Sequence, residues 1–171
     1  SGVAGASSKL LDMGTSVEVI AGFQYEMTEV ENDGYLDFYL WPQYSPHGYV
    51  WMIPKKGDRA NVGLVTTDKK GGIKYLDKFI QDTYLDGKPI VNPQWRDESV
   101  RVRPFGGTIP ISGPRDVTVD DGVILVGDAA GYVTKSSGEG IYFAAKSGRM
   151  CAEEIVEASK NGQIIPSEKD L

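Results

Sequence analysis

Residues Val123–Gly148 read V-I-L-V-G-D-A-A-G-Y-V-T-K-S-S-G-E-G-I-Y-F-A-A-K-S-G, and the order of residue types in this stretch decides the fold. The continuous apolar run Val123–Val126 closes a segment from Val117 to Gly127. It predicts a strand buried on both faces, as in a parallel or nucleotide-binding layer. Small residues follow at Gly127, Ala129, Ala130 and Gly131, where a bulky side chain would bar a ligand from the backbone. Asp128 falls at the carboxyl end of the strand, where α/β layers place ligands, and a carboxylate there accepts hydrogen bonds from sugar-type hydroxyls. Gly138, Glu139, Gly140 and Ile141 then open a helix predicted to reach Lys160. Its first turn offers backbone N–H groups and a positive dipole end to negative charge. The same glycines also suit a tight strand–helix crossover that holds no ligand.

Working outward, the N-terminal side is rich in β-formers. Val17–Val30 predicts a strand, Asn32-Asp33-Gly34 a tight turn, and Tyr35–Trp41 the partner strand. A third strand covers Tyr49–Ile53, with Tyr49, Trp51 and Ile53 on one face by the two-residue period. Ala60–Thr67 is a fourth, and four strands on short turns imply an antiparallel meander. Ile73, Leu76, Phe79 and Ile80 recur at helical spacing, so Gly72–Tyr84 is read as an amphipathic helix closed near Gly87. Residues 86–98 read as loop, and Glu98–Phe105 as a half-exposed strand. The expected class is α+β: an antiparallel sheet with a covering helix over residues 1–116, then a strand and helix of a Rossmann-like layer over 117–171.

Composition narrows the function. The chain has 171 residues, 40% of them hydrophobic, enough for a core without disulfide or metal staples. A net charge of −6 and an isoelectric point near 4.8 argue against a nucleic-acid surface. The lone His47 and the absence of clustered carboxylates argue against a bound metal. The single Cys151 fits a reducing compartment and, within a helical run, reads as packing. No run approaches the roughly 18 apolar residues a membrane span needs. Ser1–Ser8 carries no signal-peptide pattern, and with no initiator methionine the chain reads as an internal piece of a longer protein.

The Val123–Gly148 run resembles the G-D-containing FAD motif of flavoproteins with two dinucleotide-binding domains, a superfamily that includes aromatic hydroxylases and geranylgeranyl reductases. Gly127–Met150 is most similar to the geranylgeranyl reductases of the chlorophyll pathway. That resemblance implies FAD as cofactor, with Asp128 on its ribityl chain and Gly138–Ile141 facing the isoalloxazine. Gly127, Ala129 and Gly131 complete the implied cofactor set. Pro46–Pro54, P-H-G-Y-V-W-M-I-P, resembles the family pattern P-x-x-Y-x-W-x-F-P, with Ile53 in place of the phenylalanine. The lysines Lys55 and Lys56 and the glycines Gly57 and Gly63 extend the match. It implies that Tyr49, Trp51, Ile53 and Pro54 wall an isoprenoid-chain cavity beside the flavin. Flat apolar rings suit that task, because such a chain binds by apolar burial. Tyr25, Tyr35, Tyr39 and Trp41 are candidates for the same wall, and sheet core under the helix is the competing role for all these aromatics.

Residues 1–116 are thus expected to be an isoprenoid substrate domain and 117–171 the C-terminal part of an FAD domain. The G-x-G-x-x-G half of that domain is absent from this sequence. The implied activity is saturation of C=C bonds in geranylgeranyl chains, carried by a chlorophyll-type pigment or an archaeal digeranylgeranyl glycerophospholipid. The isolated piece is expected to be inactive. NADPH and ferredoxin both stand open as electron donor, and no catalytic residue is assigned. A lipid substrate implies peripheral membrane contact from the cytoplasm, or in a plastid for the pigment. A flavin monooxygenase of the same fold and an isolated lipid-binding domain are the alternatives. Lys135 lies near the cofactor by the motif, and Tyr132 is a candidate proton donor. Arg101, Arg103, Arg115, Lys55 and Lys56 read as solvated surface, with an anionic head group as the other possibility.

Overall fold

A computed structural model describes residues 18–30, 32–82, 101–120 and 122–160, together with 2, 13, 84–85, 88–89 and 162. The chain divides into two compact units, residues 20–108 and residues 1–19 with 109–171. The sequence expectations for residues 1–12 and 86–100 lie almost wholly outside the described residues.

The first unit is built on a sheet of β1 (Val19–Thr28), β2 (Asp37–Tyr39), β3 (Tyr49–Lys55), β4 (Arg59–Thr66) and, beyond two short strands β5 (Tyr84–Leu85) and β6 (Lys88–Pro89), β7 (Arg101–Pro110). The order is β2-β3-β4-β1-β7. β2, β3 and β4 form an antiparallel meander, but β1 does not pair with β2 as expected from the Asn32–Gly34 turn. It pairs antiparallel with β4, Ala21 opposite Thr66 through Thr28 opposite Arg59. The cause lies at the end of β1. Glu29 takes a positive φ of 59°, and the Val30 N–H donates to the Asp58 carbonyl at 3.0 Å. The chain therefore crosses the end of the β3–β4 hairpin instead of folding back beside β1. Asn32 and Asp33 side chains accept from the N–H groups of Gly34 and Tyr35, which makes a local loop rather than a two-residue hairpin.

Helix α1 (Gly72–Asp82) covers one face of this sheet. Leu76, Phe79 and Ile80 are wholly buried against Met27, Val50, Met52, Ala60, Val62 and Leu64, whose two-residue spacing selects a single face. Phe79 is ringed by Tyr39, Tyr44 and Trp41, with ring centroids 5.0, 5.6 and 6.5 Å away. At the start of the helix, Asp68 accepts from the N–H groups of Lys70 and Gly71 and from the Tyr75 hydroxyl. Gly72 fits closely there: a β-carbon at that position would fall 2.0 Å from the Phe23 ring, which would have to shift.

The second unit contains β8 (Val119–Asp120), β9 (Val123–Ile124), a 3-10 turn over Gly127–Ala130, and helix α2 (Ile141–Lys160). The strand expected over Val117–Gly127, buried on both faces, is not formed. β8 and β9 instead pair antiparallel as a short ribbon, with Val119 opposite Ile124. Of the apolar run only Leu125 is buried, while Ile124 and Val126 are exposed. Among the described residues no parallel strand flanks β9, and Ile124 and Val126 line an open cavity with Phe143 and Met150 instead of a buried layer. Leu125 packs with Met13 and Ala130 in a small core of its own. Helix α2 starts at Ile141 rather than Gly138 and buries no residue fully. Its expected apolar side is open, with Ile141, Ile155 and Val156 all exposed.

Candidate functional site

Two groups of the predicted site residues take shape, one in each unit. In the first unit, β3 alternates between Val50 and Met52, buried under α1, and Tyr49, Trp51 and Ile53 on the opposite face. Core packing against α1 is therefore not what these side chains do. Trp51 pairs with Phe38 of β2 on one side and Gly63 of β4 on the other. The rings form a continuous strip: Phe38 meets Tyr49 edge-on at 5.3 Å, and Tyr49 meets Trp51 at 5.9 Å. Ile53 and Phe38 are 38% and 56% exposed, so the strip is open apolar surface. Partial burial raises the Tyr49 hydroxyl above its ordinary pKa.

The strip ends in charge. Lys55, opposite Arg59, follows Ile53 on the same face, and both cations bond Glu26 of β1. The hydrogen bond from Lys55 is the main reason the Glu26 carboxyl titrates below its usual range.

The other wall candidates fall differently. Pro54, opposite Ala60, has the parity of Val50 and Met52 and lies on the α1 side of the sheet. Tyr25, Tyr39 and Trp41 also pack against the α1 core, and Tyr35 is exposed. Phe38 was the residue sequence reasoning missed; its signal was a register with Trp51 that no local pattern reveals.

In the second unit, the Gly127–Ala130 turn and the start of α2 bring Asp128 and Gly140 together. A β-carbon on Gly140 would sit 3.2 Å from Asp128 Oδ1 and equally close to a Val133 methyl. Among the described residues nothing donates a hydrogen bond to the Asp128 carboxylate, which is half-buried. The small residues here have a second role besides ligand access. A β-carbon on Gly131, whose φ is 77°, would strike the Gly113 carbonyl at 2.3 Å, and one on Gly127 would crowd Ala144 at 3.1 Å. The Ala129 carbonyl is taken by Arg115 Nε at 2.8 Å.

The loop between the glycine clusters is held by reciprocal bonds between Thr134 and Glu139, and the Glu139 carboxylate caps the Tyr142 N–H at 2.9 Å. Gly138, φ 69°, backs onto Ile109. Ile141 is 88% exposed at the head of α2, and Lys135 is exposed in the loop. The Tyr132 hydroxyl donates to Thr118 at 3.3 Å, and its ring lines a cavity of about 370 Å³ with Leu125, Phe143, Met150 and Cys151. Among the other candidates for an anionic head group, Arg101 is committed to Asp77 at 2.8 Å and stacks on Tyr25. Arg103 lies over Phe105.

Residues 18–93 match the family described as the geranylgeranyl reductase catalytic domain. The chain is 46% identical over 139 residues to a chloroplastic geranylgeranyl diphosphate reductase of Arabidopsis thaliana, covering 79% of this chain and 27% of that protein. A digeranylgeranylglycerophospholipid reductase of Methanocaldococcus jannaschii is 37% identical, over 84% of this chain and 36% of its own length. The crystal structure of a geranylgeranyl bacteriochlorophyll reductase-like protein from Thermoplasma acidophilum superposes with a TM-score of 0.71 at 30% identity, over 85% of this chain and 36% of that one. PqsL of Pseudomonas aeruginosa, a probable FAD-dependent monooxygenase, shares the fold at a TM-score of 0.63 and 18% identity, over 96% of this chain and 46% of its own. The chain spans about a third of the curated relatives it matches. On these matches, and on the two motifs whose residues the fold sets out, the chain belongs to the geranylgeranyl reductase family.

Proposed function

We propose that the complete gene product is an FAD-dependent reductase that saturates C=C bonds of geranylgeranyl chains. The observation that carries this reading is the Phe38–Tyr49–Trp51 strip, an open aromatic surface on the sheet face that α1 does not cover. An unbranched core role would have placed those rings with Val50 and Met52. Residues 1–116 supply the isoprenoid-binding part and 117–171 the second FAD-contacting part. The substrate is a chlorophyll-type pigment or a digeranylgeranyl glycerophospholipid; the names of the relatives specify geranylgeranyl diphosphate and digeranylgeranylglycerophospholipid, which both carry geranylgeranyl chains. Either substrate is membrane-resident, which favours peripheral contact with the bilayer; among the described residues no helix is long and apolar enough to cross a membrane.

The chemistry of the second unit fits a flavin. A carboxylate such as Asp128, which accepts no hydrogen bond among the described residues, takes ribityl hydroxyls as donors, and the Gly138–Ile141 approach to α2 offers a positive helix end to an anionic ring edge. When bound, reduced FAD would supply a hydride to one alkene carbon, and the other carbon would take a proton from water or a nearby acid. Tyr49, Trp51 and Ile53 hold the chain by apolar burial and keep water from it. The alkene needs no charged partner, which agrees with a strip whose cations Lys55 and Arg59, among the described residues, lie at its end.

The test uses the complete gene product, reduced with dithionite and given geranylgeranyl lipids, with products read by mass spectrometry. Retained flavin and saturated chains support the reading, and Asp128→Ala should lose both. Oxygen insertion in place of saturation points to the monooxygenase chemistry of PqsL-like folds. A protein that binds isoprenoid lipid but no flavin is a lipid-binding protein only.

A further inference from the structure

Trp51 is not free to choose its position. Its indole Nε1–H donates to the Gln24 side-chain carbonyl at 3.0 Å, although Gln24 is on β1 and a whole strand, β4, separates β1 from β3. The indole can reach that far because Gly63 stands between the two residues, opposite Trp51 in one register and opposite Gln24 in the other. A β-carbon on Gly63 would lie 2.6 Å from Trp51 Cζ2 and 2.7 Å from Cε2. The ring therefore lies down across β4 in the space a side chain would otherwise fill. Three strands cooperate in this: β3 carries the ring, β4 vacates its seat, and β1 fastens its far end.

We infer that Gln24 and Gly63 are positioning residues for Trp51, and that they set the floor on which the isoprenoid chain lies. This inference rests on the proposed reductase reading for its substrate, and on geometry alone for the tether. An indole held flat presents its π-face, rather than its edge, to whatever packs on the sheet. A flat face suits a chain with planar alkene units, and a fixed face removes the rotamer entropy that binding would otherwise have to quench. Gln24 itself touches no substrate in this scheme; it acts through Trp51.

The deciding variant is Gln24→Leu, which keeps the size of the side chain and removes the acceptor. Gly63→Ala is a poorer probe, because its β-carbon would also strike the Phe23 carbonyl at 2.7 Å and disturb strand pairing. Two readouts on the complete gene product are needed. The first is the Trp51 indole N–H resonance, assigned by its loss in Trp51→Phe, and its exchange with solvent. In Gln24→Leu it should move and exchange faster, and Gln24→Glu, which still offers a carbonyl-type oxygen, should restore protection. The second is turnover of a geranylgeranyl substrate. KM should rise about five-fold in Gln24→Leu, the order expected for one lost hydrogen bond, while kcat stays within about two-fold. An unchanged indole resonance overturns the tether. A changed resonance with unchanged KM overturns the positioning role. Wild-type protein that reduces no isoprenoid chain overturns the reductase reading and the positioning role with it, while the resonance still decides the tether.

Discussion

Asp128 Oδ1 lies 3.2 Å from the point where Gly140 would carry a β-carbon, so the carboxylate of the Gly127–Ala130 turn and the approach to α2 meet at close range. Neither residue is near the other in sequence-local terms. The 3-10 turn over Gly127–Ala130 and the Thr134–Glu139 loop bring them together.

Asp128→Asn should weaken flavin binding by the complete gene product roughly 10- to 100-fold, the cost of replacing a charge-assisted hydrogen bond by neutral ones. Titration of apoprotein with FAD, followed by flavin fluorescence, measures it. An unchanged Kd would remove Asp128 from the cofactor site.

Trp51→Ala and Phe79→Ala should behave as opposites. Trp51 is on the open face, so its loss should raise KM for geranylgeranyl lipid about ten-fold or more while leaving urea stability within about 1 kcal/mol. Phe79 is wholly buried among Tyr39, Trp41 and Tyr44 and should cost about 3–5 kcal/mol of stability on truncation. Paired urea melts and Michaelis curves separate the two.

That pair of residues also shows what the sequence could tell. The two-residue period correctly put Tyr49, Trp51 and Ile53 on one face of β3, and the helical period correctly placed Leu76, Phe79 and Ile80 toward the core. Alternation reports which side chains share a face; it is silent on which strand lies alongside. The position of β1 beside β4 therefore escaped, as did Phe38 opposite Trp51, since both follow from the Glu29 turn and a long-range register. Tyr39 and Trp41 were read as possible wall because aromatic rings serve core and surface alike; only α1 decided between them. The apolar run at Val123–Val126 announced a need for cover on both faces. Among the described residues the cover exists on one face, through Met13 and Ala130, and the second stays open.

Asp68 links pH to the stability of α1. Its carboxyl is held below the ordinary value of 3.8, first by the Gly71 N–H and then by that of Lys70. A carboxyl with a depressed folded pKa contributes stability that is fully present above its ordinary value and is lost as pH falls through the folded one. Urea melts between pH 7 and pH 2 should show this acid-side loss. Asp68→Asn should be less stable at neutral pH and show a shallower decline; an identical decline would exclude Asp68 as a contributor.

Gly131→Ala tests the turn below the candidate cofactor site. Its positive φ and the 2.3 Å approach to the Gly113 carbonyl predict a loss of about 2 kcal/mol or more, together with weaker flavin binding. Wild-type stability in that variant, measured by urea unfolding, would mean that Gly113 and Gly131 do not pack as described.

The most direct test of the central claim is an anaerobic single turnover. The complete gene product, with its flavin reduced in stoichiometric amount, is mixed with a geranylgeranyl lipid while flavin absorbance is followed and the lipid is then weighed by mass spectrometry. The account predicts that the oxidised flavin spectrum returns without oxygen, with one double bond saturated for each flavin reoxidised. A flavin that stays reduced until oxygen is admitted, with the lipid unchanged or oxygenated, would contradict it.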